Sequence, residues 1–225
     1  MPLIIAIDGP AAAGKSSVAR ALAKKLGLLY LDSGSLYRAM AWKVLQKGID
    51  VMIEPQVEAI CGESKIMLRH GYMETAEVWV DSENVTPFLR NPEVTRVASI
   101  LAAYSGVRAT ILLLQRGIAQ NGVVAEGRDM GTVVFPNADK KFYLDAALSI
   151  RGKRRYEEFQ SKGIPCSLAT IISEMEARDQ RDQHRAVAPL RAAADAITID
   201  STSLSMEGVI AMMEQEIKEK LPHCL

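Results

Sequence analysis

The sequence predicts an α/β fold in which about five parallel strands carry helices on both faces. Apolar runs of strand length alternate with helical patterns along most of the 225 residues. The apolar runs are largely continuous, as in strands that are buried on both faces. A glycine-rich segment follows the first run and opens the first helix. That segment therefore lies at the carboxyl end of a strand, where sheets of this kind bind ligands.

The individual elements follow from hydrophobic periodicity and from helix start and stop signals. In the first helix, Val18, Leu22 and Leu26 recur at helical spacing, and Gly27 ends it. Strands are predicted over residues 3–8, 28–31, 122–125, 141–144 and 196–199, and helices over 15–26, 35–46, 150–161, 167–183 and 205–220. Alternation of strands and helices at these lengths predicts a parallel sheet with helices on both faces.

The segment between the second helix and the third strand has a different pattern. Short β-type pieces around residues 66–68 and 78–80 are separated by Gly71 and polar turns, which predicts a small antiparallel insert. Asn91 and Pro92 then open a long helical stretch to about residue 120, with a break expected near residues 104–106.

Composition limits the classes of partner. The 27 basic and 27 acidic residues give a formal net charge of zero, so whole-molecule electrostatics does not favour nucleic acid or a membrane surface. No apolar run approaches the roughly 18 residues of a membrane span, and the N-terminal run lacks the basic region of a signal peptide. Cys61, Cys166 and Cys224 are scattered, which fits a reducing compartment and no zinc site. We expect a cytoplasmic protein and, because nothing in the pattern demands a dimer, a monomer.

The glycine-rich segment fits the phosphate-binding pattern G-x-x-x-x-G-K-S/T between a strand and a helix. Glycines let the backbone wrap closely around an anion, and the N–H groups that begin the helix point at it. We expect a P-loop NTPase-type site for ATP and Mg²⁺, in which Lys15 reaches the β- and γ-phosphates and Ser16 binds the metal. The alternative is a small-residue turn that opens an alanine-rich helix. The expected ATP-binding residues are Gly9, Pro10, Ala11, Ala12, Ala13, Gly14, Lys15, Ser16 and Ser17.

A second charged cluster follows the apolar run at residues 123–125. Glu126, Arg128 and Asp129 lie between glycines there. A solvated turn with a local ion pair is the alternative interpretation, and such a pair would contribute little stability. Because the loops at the carboxyl ends of neighbouring parallel strands converge on one crevice, we expect this cluster to lie beside the glycine-rich loop.

Together with further blocks, these motifs make the chain resemble the bacterial cytidylate kinases, which are nucleoside monophosphate kinases of the P-loop class. The blocks run in family order over essentially the whole chain. They are Ile7-Asp8-Gly9-Pro10 through Lys15-Ser16, Leu31-Asp32-Ser33-Gly34 with Tyr37-Arg38, Gly127 through Pro136, Arg178-Asp179 with Asp182, Arg185 through Leu190, and Asp200-Ser201-Thr202. The resemblance implies phosphoryl transfer from ATP to CMP or dCMP, giving CDP or dCDP, in pyrimidine nucleotide biosynthesis and salvage.

The resemblance also implies roles for individual residues. Arginine suits the acceptor phosphate because its planar fork binds two oxygens at once. A carboxylate and a guanidinium can recognise cytosine, which presents an amino donor beside two acceptors. The expected catalytic residues are Lys15 of the glycine-rich loop, Arg128, and Arg154 and Arg155 of the basic cluster described next. The implied acceptor ligands are Ser33, Arg38, Ser99, Arg108, Arg128, Asp129, Arg178, Asp182 and Arg185.

Two of these groups also have an ordinary structural interpretation. Arg178, Asp182 and Arg185 are spaced i, i+4 and i+7, which predicts one helix face. A salt-bridged solvent face is the usual meaning of such a run, but beside a phosphate site we favour a clamp on ribose and phosphate. The densest basic cluster comprises Arg151, Lys153, Arg154 and Arg155. A basic helix end that compensates the helix dipole is the ordinary interpretation. The cluster lies at a helix start, where basic charge is unfavourable, so we interpret it as part of a lid that brings cations to the transferred phosphoryl group.

The expected domain division follows from these assignments. Residues 1–34, 120–149 and 166–225 form a core nucleotide-binding domain, residues 35–119 a monophosphate-binding region with a small β insert near 62–90, and residues 150–165 a short lid. Another small-acceptor kinase, such as adenylate or shikimate kinase, is disfavoured by the insert and by the Gly127–Pro136 block. A regulator that uses ATP only as a switch would hydrolyse it slowly and show no acceptor specificity. The resemblance also implies that the carboxylate at position 126 lies near Mg²⁺ or the acceptor. Many relatives carry Asp there, so Glu126 would shift that carboxylate by one methylene.

Overall fold

The computed structural model describes residues 2–70 and 76–220. Within them the chain forms two compact units, one built from the segments up to Leu31 and from Ala119 onwards, the other from Asp32–Ile118. The turn expected at Gly71 lies outside the described residues.

In chain order, the elements are β1 (Ile4–Asp8), α1 (Lys15–Leu26), β2 (Leu29–Asp32), α2 (Ser33–Gln46), α3 (Glu54–Glu63), β3 (Ile66–His70), β4 (Ala76–Val80), β5 (Glu83–Asn84), α4 (Pro92–Leu101), α5 (Ser105–Ile118), β6 (Val123–Gly127), β7 (Lys140–Asp145), α6 (Leu148–Ser161), α7 (Leu168–His184), β8 (Ile197–Asp200) and α8 (Met206–Lys220). Short helical turns lie at Thr86–Phe88, Ala119–Asn121 and Met130–Val134. The predicted core strands and helices are confirmed, each within two residues at either end.

The predicted parallel sheet is also confirmed, with the strand order β2-β6-β1-β7-β8. Strand β1 runs parallel to both β6 and β7, and β7 runs parallel to β8. In this register Asp8, the last residue of β1, lies opposite Gly127, the last residue of β6. The two loops that carry the glycine-rich motif and the Arg128 cluster therefore leave the sheet from neighbouring strand ends.

One face of this sheet is covered by α1 and α8. Ile5 and Ile7 of β1 and Phe142 of β7 lie in one hydrophobic cluster with Leu22 of α1 and Met213 of α8. Residues that alternate with these along the strands, such as Ala6 and Ala125, are equally buried. Burial of both sets of side chains explains why the strands appear in the sequence as continuous apolar runs.

The second unit is a helical layer with a small sheet. Helix α2 packs on α4, and α3 packs on α5. The predicted antiparallel insert is confirmed as the sheet β3-β4-β5, in which Ile66 pairs with Val80. The expected helix break lies at residues 102–104, between α4 and α5. Helix α3 was not predicted: only Val57 and Cys61 are buried along its ten residues, so its apolar stripe is too short to mark it.

Candidate active site

The loop between β1 and α1 has the geometry of a phosphate cradle. Gly9 has φ +149°, and a Cβ there would lie 2.0 Å from the carbonyl oxygen of Leu144, so no larger residue fits. Gly14 precedes α1 with φ +97° and offers no side-chain cap, and the first turn of α1 carries no acidic residue. The N–H groups that begin α1 are thus left for an external acceptor, and the helix dipole favours an anion there.

Lys15 lies buried within this cradle. Its Nζ donates to the carbonyl oxygen of Pro10 at 2.6 Å. Burial, followed by the positive charge of Arg128, lowers the pKa of Lys15 to about 7, although the Glu126 carboxylate opposes the shift. An arriving phosphate would supply the negative charge that a protonated Lys15 lacks in the free protein.

Ser16 is the second residue of α1, and its side chain contacts the end of β6. Its hydroxyl donates to Glu126 Oε1 at 2.5 Å, and the Tyr30 hydroxyl donates to the same oxygen at 3.2 Å. Hydroxyl and carboxylate oxygens are the ligands that Mg²⁺ prefers, together with substrate phosphates. Ser16 and Glu126 therefore fit Mg²⁺. The sequence pointed to this carboxylate as lying near Mg²⁺ or the acceptor without choosing between them, and its contact with Ser16 favours the metal.

Asp8, the last residue of β1, binds the turn that follows β6, and the sequence did not indicate this role. Its carboxylate accepts the N–H groups of Met130 at 2.7 Å and Gly131 at 2.8 Å. Burial raises the pKa of Asp8 to about 6, and the two backbone N–H groups only partly offset that effect. Asp8 therefore fixes the helical turn Met130–Val134 that follows Arg128 and Asp129.

The Arg128 side chain pairs with Asp182 of α7. Its Nε donates to Asp182 Oδ2 at 2.8 Å, and both groups are largely buried. Burial would raise the pKa of Asp182, but Arg128 and Arg178 outweigh it, so the pKa of Asp182 lies below its usual range. Burial opposes the charge on Arg128 as well, yet Asp182 holds the Arg128 pKa above its usual value. Arg128 thus lies beside Asp182 of α7 within the first unit.

Arg185 differs from the expectation in one respect. Helix α7 ends at His184, and Arg185 follows it with extended backbone at φ −62° and ψ 141°. The three residues spaced i, i+4 and i+7 therefore do not share one helix face, because the spacing rule does not apply beyond the helix end. Arg185 instead donates from Nε to the Ala188 carbonyl at 2.6 Å, and its NH2 lies 3.7 Å from Asp129 Oδ1.

The basic cluster at the start of α6 does not form one row of exposed cations. Arg151 is buried and pairs with Asp179 of α7. Arg154 donates to the carbonyl oxygen of Ser201 at 2.6 Å, and Arg155 pairs with Glu158. Lys153 is exposed. Helix α6 thus places its four cations in different surroundings, and Arg151 is withdrawn from the set expected to cover the phosphoryl group.

In the second unit, the start of α2 orients Arg38. The Asp32 carboxylate caps α2 by accepting the Ser35 N–H at 3.1 Å, and its second oxygen accepts from Arg38 NH2 at 2.6 Å. A Cβ at Gly34 would lie 2.8 Å from Arg38 NH1, so the absence of a side chain there leaves room for the guanidinium. Residues Asp32, Gly34 and Arg38 of the motif therefore act as one local structure.

The other acceptor ligands expected in the second unit lie in buried surroundings. The Ser33 hydroxyl accepts from Gln115 Nε2 at 2.7 Å. Arg108 is buried, and its guanidinium lies 5.8 Å from the Tyr37 ring centroid. The Ser99 hydroxyl is buried and finds no hydrogen-bond partner within the described part of the chain. A polar atom left in that state is a candidate for ligand binding.

Comparison with known proteins decides the family. A family model described as cytidylate kinase matches residues 5–219. The chain belongs to the cytidylate kinase family. A cytidylate kinase of Desulfitobacterium hafniense is 46% identical over 209 residues, which cover 92% of this chain and 89% of that protein. A bifunctional pantoate ligase/cytidylate kinase of Synechococcus sp. is 43% identical over 223 residues. Those residues cover 96% of this chain but 41% of the bifunctional protein, so the chain spans less than half of that relative.

A solved structure supports the fold alone. The match to a crystal structure of an uncharacterized protein from Eubacterium ventriosum covers 96% of this chain and 98% of that protein, with a TM-score of 0.51 and 12% sequence identity.

Among the described residues, no single helix is long and apolar enough to cross a membrane, and only the bent pair Pro92–Leu101 with Ser105–Asn121 meets that test by length and composition. Within the same residues, His, Cys, Asp and Glu form no group of three that could hold a metal ion.

Proposed function

We propose that this protein transfers the terminal phosphoryl group of ATP to CMP or dCMP, giving ADP and CDP or dCDP, with Mg²⁺ as the accompanying cation. The chain belongs to the cytidylate kinase family, and one structural observation supports this reaction most directly. The phosphate cradle and the Arg128 cluster leave the sheet from neighbouring strand ends, since Asp8 lies opposite Gly127. Phosphoryl transfer needs little covalent chemistry from the protein, but it needs positioning and neutralisation of charge.

The cradle binds the donor. Within residues 9–17, the backbone N–H groups from Ala12 onwards and the Lys15 ammonium take the phosphates of ATP, while Pro10, which has no N–H, and Ala11, whose N–H donates to Asp179, shape the loop around them. Ser16 with Glu126 holds Mg²⁺. When bound, Mg²⁺ neutralises charge on the phosphates. Lys15 Nζ, which donates to the Pro10 carbonyl, becomes fully protonated beside the phosphates. Its charge then lies where negative charge shifts in the transition state, so Lys15 is a catalytic residue of this proposal.

Arginine and acidic side chains outside the phosphate loop bind the acceptor. In the first unit, Arg128 and Arg185 take the acceptor phosphate, while Arg178 and Asp182 contact its sugar or phosphate. The Arg128–Asp182 pair keeps the guanidinium fork fixed before the acceptor arrives, which reduces the ordering that binding requires. Asp129 contributes to recognition of the cytosine. On the resemblance to the family, Ser33, Arg38, Ser99 and Arg108 of the second unit are proposed as further acceptor ligands.

Helix α6 and the residues after it act as the lid of this proposal. Arg154 and Arg155 are its catalytic cations, because their partners are a backbone carbonyl and an acid on the same helix. Both contacts can be exchanged for phosphate oxygens without leaving a buried acid uncompensated. We also propose that the protein acts as a cytoplasmic monomer whose partners are ATP and CMP or dCMP. Its formal net charge of zero supports the exclusion of nucleic acid and membrane as partners. Size-exclusion chromatography with light scattering tests the monomer.

A coupled ADP-release assay tests the reaction. Purified protein, Mg²⁺ and ATP are combined with CMP, dCMP, UMP, AMP or GMP in turn, with a reaction lacking any acceptor as the control. We expect ADP release to depend on CMP or dCMP. Release at the same rate with no acceptor would contradict the proposal and would indicate the ATP-dependent switch. Preference for AMP would contradict the acceptor assignment.

A further inference from the structure

Arg151 and Asp179 form a buried ion pair between α6 and α7. Their side chains are 8% and 10% exposed, and Arg151 NH1 donates to Asp179 Oδ2. Arg151 Nε also donates to the Ala146 carbonyl at 2.8 Å, just before α6 begins. Burying both charges costs desolvation energy. Separating the two side chains would leave each charge buried without a partner, so their geometry is fixed.

The two side chains of the pair both form hydrogen bonds with the backbone of Ala11 in the phosphate loop. Asp179 Oδ1 accepts the N–H of Ala11 at 3.3 Å, and Arg151 NH1 donates to the carbonyl oxygen of Ala11 at 3.1 Å. The N–H of Ala11 belongs to the same planar peptide unit as the Pro10 carbonyl, which accepts from Lys15 Nζ. Asp179 and Lys15 thus hold opposite ends of one peptide unit, and Arg151 holds the next.

The loop conformation needs such support. Ala12 has φ +57°, a left-handed conformation that a residue with a side chain keeps only when its surroundings impose it. Helix packing brings the pair to the loop. A Cβ at Gly152 would lie 2.5 Å from Ile172 Cγ1, so α6 approaches α7 closely beside Arg151.

We propose that the Arg151–Asp179 pair positions the phosphate loop and Lys15 for the triphosphate of ATP without touching the nucleotide. This inference rests on the proposed function and deepens its donor site. A loop held in its binding conformation loses less freedom when ATP arrives, so the pair strengthens ATP binding selectively. The acceptor does not contact this loop in the proposed arrangement, so CMP binding stays unchanged. Arg151 and Asp179 are therefore positioning residues and not catalytic ones.

Calorimetric titration of the purified full chain with ATP and, separately, with CMP tests this inference. The test variants are Asp179→Asn, Arg151→Lys and the double variant Arg151→Met/Asp179→Leu. We expect the Kd for ATP to rise roughly 10-fold in each, with the Kd for CMP unchanged. The effects should not add, because the two side chains act as a unit. Glu176→Gln and Arg181→Lys are the matched controls, since both residues are exposed on α7.

The double variant keeps the inference testable if a single variant fails to fold, because it leaves no uncompensated charge in the interior. An unchanged Kd for ATP in the double variant would overturn the inference. A parallel rise in the Kd values of ATP and CMP would also overturn it, since that pattern reflects a general structural role. Unmodified protein that does not bind ATP would overturn the proposed function and this inference together. Normal transfer to CMP with unaltered ATP affinity in all variants would overturn this inference alone.

Discussion

The Ser16 hydroxyl donates a hydrogen bond to Glu126 Oε1 at 2.5 Å, which joins the phosphate loop to the end of the neighbouring strand. This contact fixes the orientation of the hydroxyl proposed to bind Mg²⁺. It also places the negatively charged Glu126 carboxylate beside the expected position of the Mg²⁺ ion. Groups that orient a metal ligand commonly affect metal binding or activity by about 10- to 100-fold.

Replacement of Glu126 tests this contact. We expect Glu126→Gln to lower kcat by roughly 10- to 100-fold and to raise the Mg²⁺ concentration required, because an amide lacks the negative charge. Glu126→Asp keeps that charge and should lose less. Tyr30→Phe, which removes the second donor to the same oxygen, is the matched control and should have a small effect. The measurement is kcat against Mg²⁺ concentration, and an unchanged profile in Glu126→Gln would remove Glu126 from the metal site.

Binding of ATP should be coupled to proton uptake by Lys15. The pKa of Lys15 is lowered to about 7 by burial, so at pH 8 most of the free protein carries a neutral lysine. Bound phosphates raise that pKa, and close to one proton is taken up at pH 8 and little at pH 6. The terminal phosphate of ATP is already ionised at pH 8 and adds nothing. Calorimetry in two buffers of different ionisation enthalpy measures the uptake, and Lys15→Met should abolish it. Heats that do not depend on the buffer at pH 8 would contradict this prediction.

Removal of Arg128 should separate acceptor turnover from ATP binding. We expect Arg128→Met to lower kcat/KM for CMP by roughly 100-fold, since a bidentate guanidinium contact is lost. The Kd for ATP should stay close to the original or improve, because the charge of Arg128 lowers the pKa of Lys15. Arg181→Met, at an exposed position of α7, is the control. Normal CMP turnover in Arg128→Met would show that the acceptor phosphate binds elsewhere.

The elevated pKa of Asp8 predicts an unusual dependence of stability on pH. Its folded-state pKa is about 6 and its ordinary value is 3.8, so the folded state binds the proton more tightly than the unfolded state. The contribution of Asp8 to the free energy of unfolding therefore falls by roughly 3 kcal/mol as pH rises from below 3.8 to above 6. Urea unfolding of the original protein and of Asp8→Asn at several pH values measures the difference. A difference that grows with pH in favour of the original protein would contradict the assignment.

Gly9 should tolerate no side chain. A Cβ at Gly9 would lie 2.0 Å from the Leu144 carbonyl oxygen, which belongs to the backbone and cannot move aside cheaply. We expect Gly9→Ala to lose ATP binding, measured by calorimetry. Gly163→Ala is the control, because it also has positive φ, at +67°, but open space around its Cβ. Unaltered ATP affinity in Gly9→Ala would contradict the cradle geometry.

Local patterns predicted most of the fold. Helix α1 has the predicted bounds because its periodic apolar residues end at Gly27, whose φ of +64° caps the helix. The parallel strands were recognisable because both faces are buried. Helix α3 and the turn Met130–Val134 were missed. The first buries too few residues to show a period, and the second depends on Asp8, which is 122 residues from Met130 in sequence.

For the candidate site, the sequence shows which residue types are available but not which side chains contact one another. Lys15, Ser16 and Arg128 are found in motifs that a sequence displays directly. The burial of Arg151 could not be predicted from the sequence, because it depends on Asp179, 28 residues away on another helix. The end of α7 at His184 likewise separates Arg185 from the helical spacing that predicted a shared face. Contacts that close the site between elements are fixed by tertiary packing, which spacing along the chain does not encode.

Transfer of label from [γ-³²P]ATP tests the central claim most directly. Purified protein is incubated with Mg²⁺, labelled ATP and CMP, and the products are separated by chromatography. The account predicts that the label moves to CDP, that it does so only when CMP or dCMP is present, and that Lys15→Ala abolishes the transfer. Label released as inorganic phosphate at the same rate with or without CMP would contradict it.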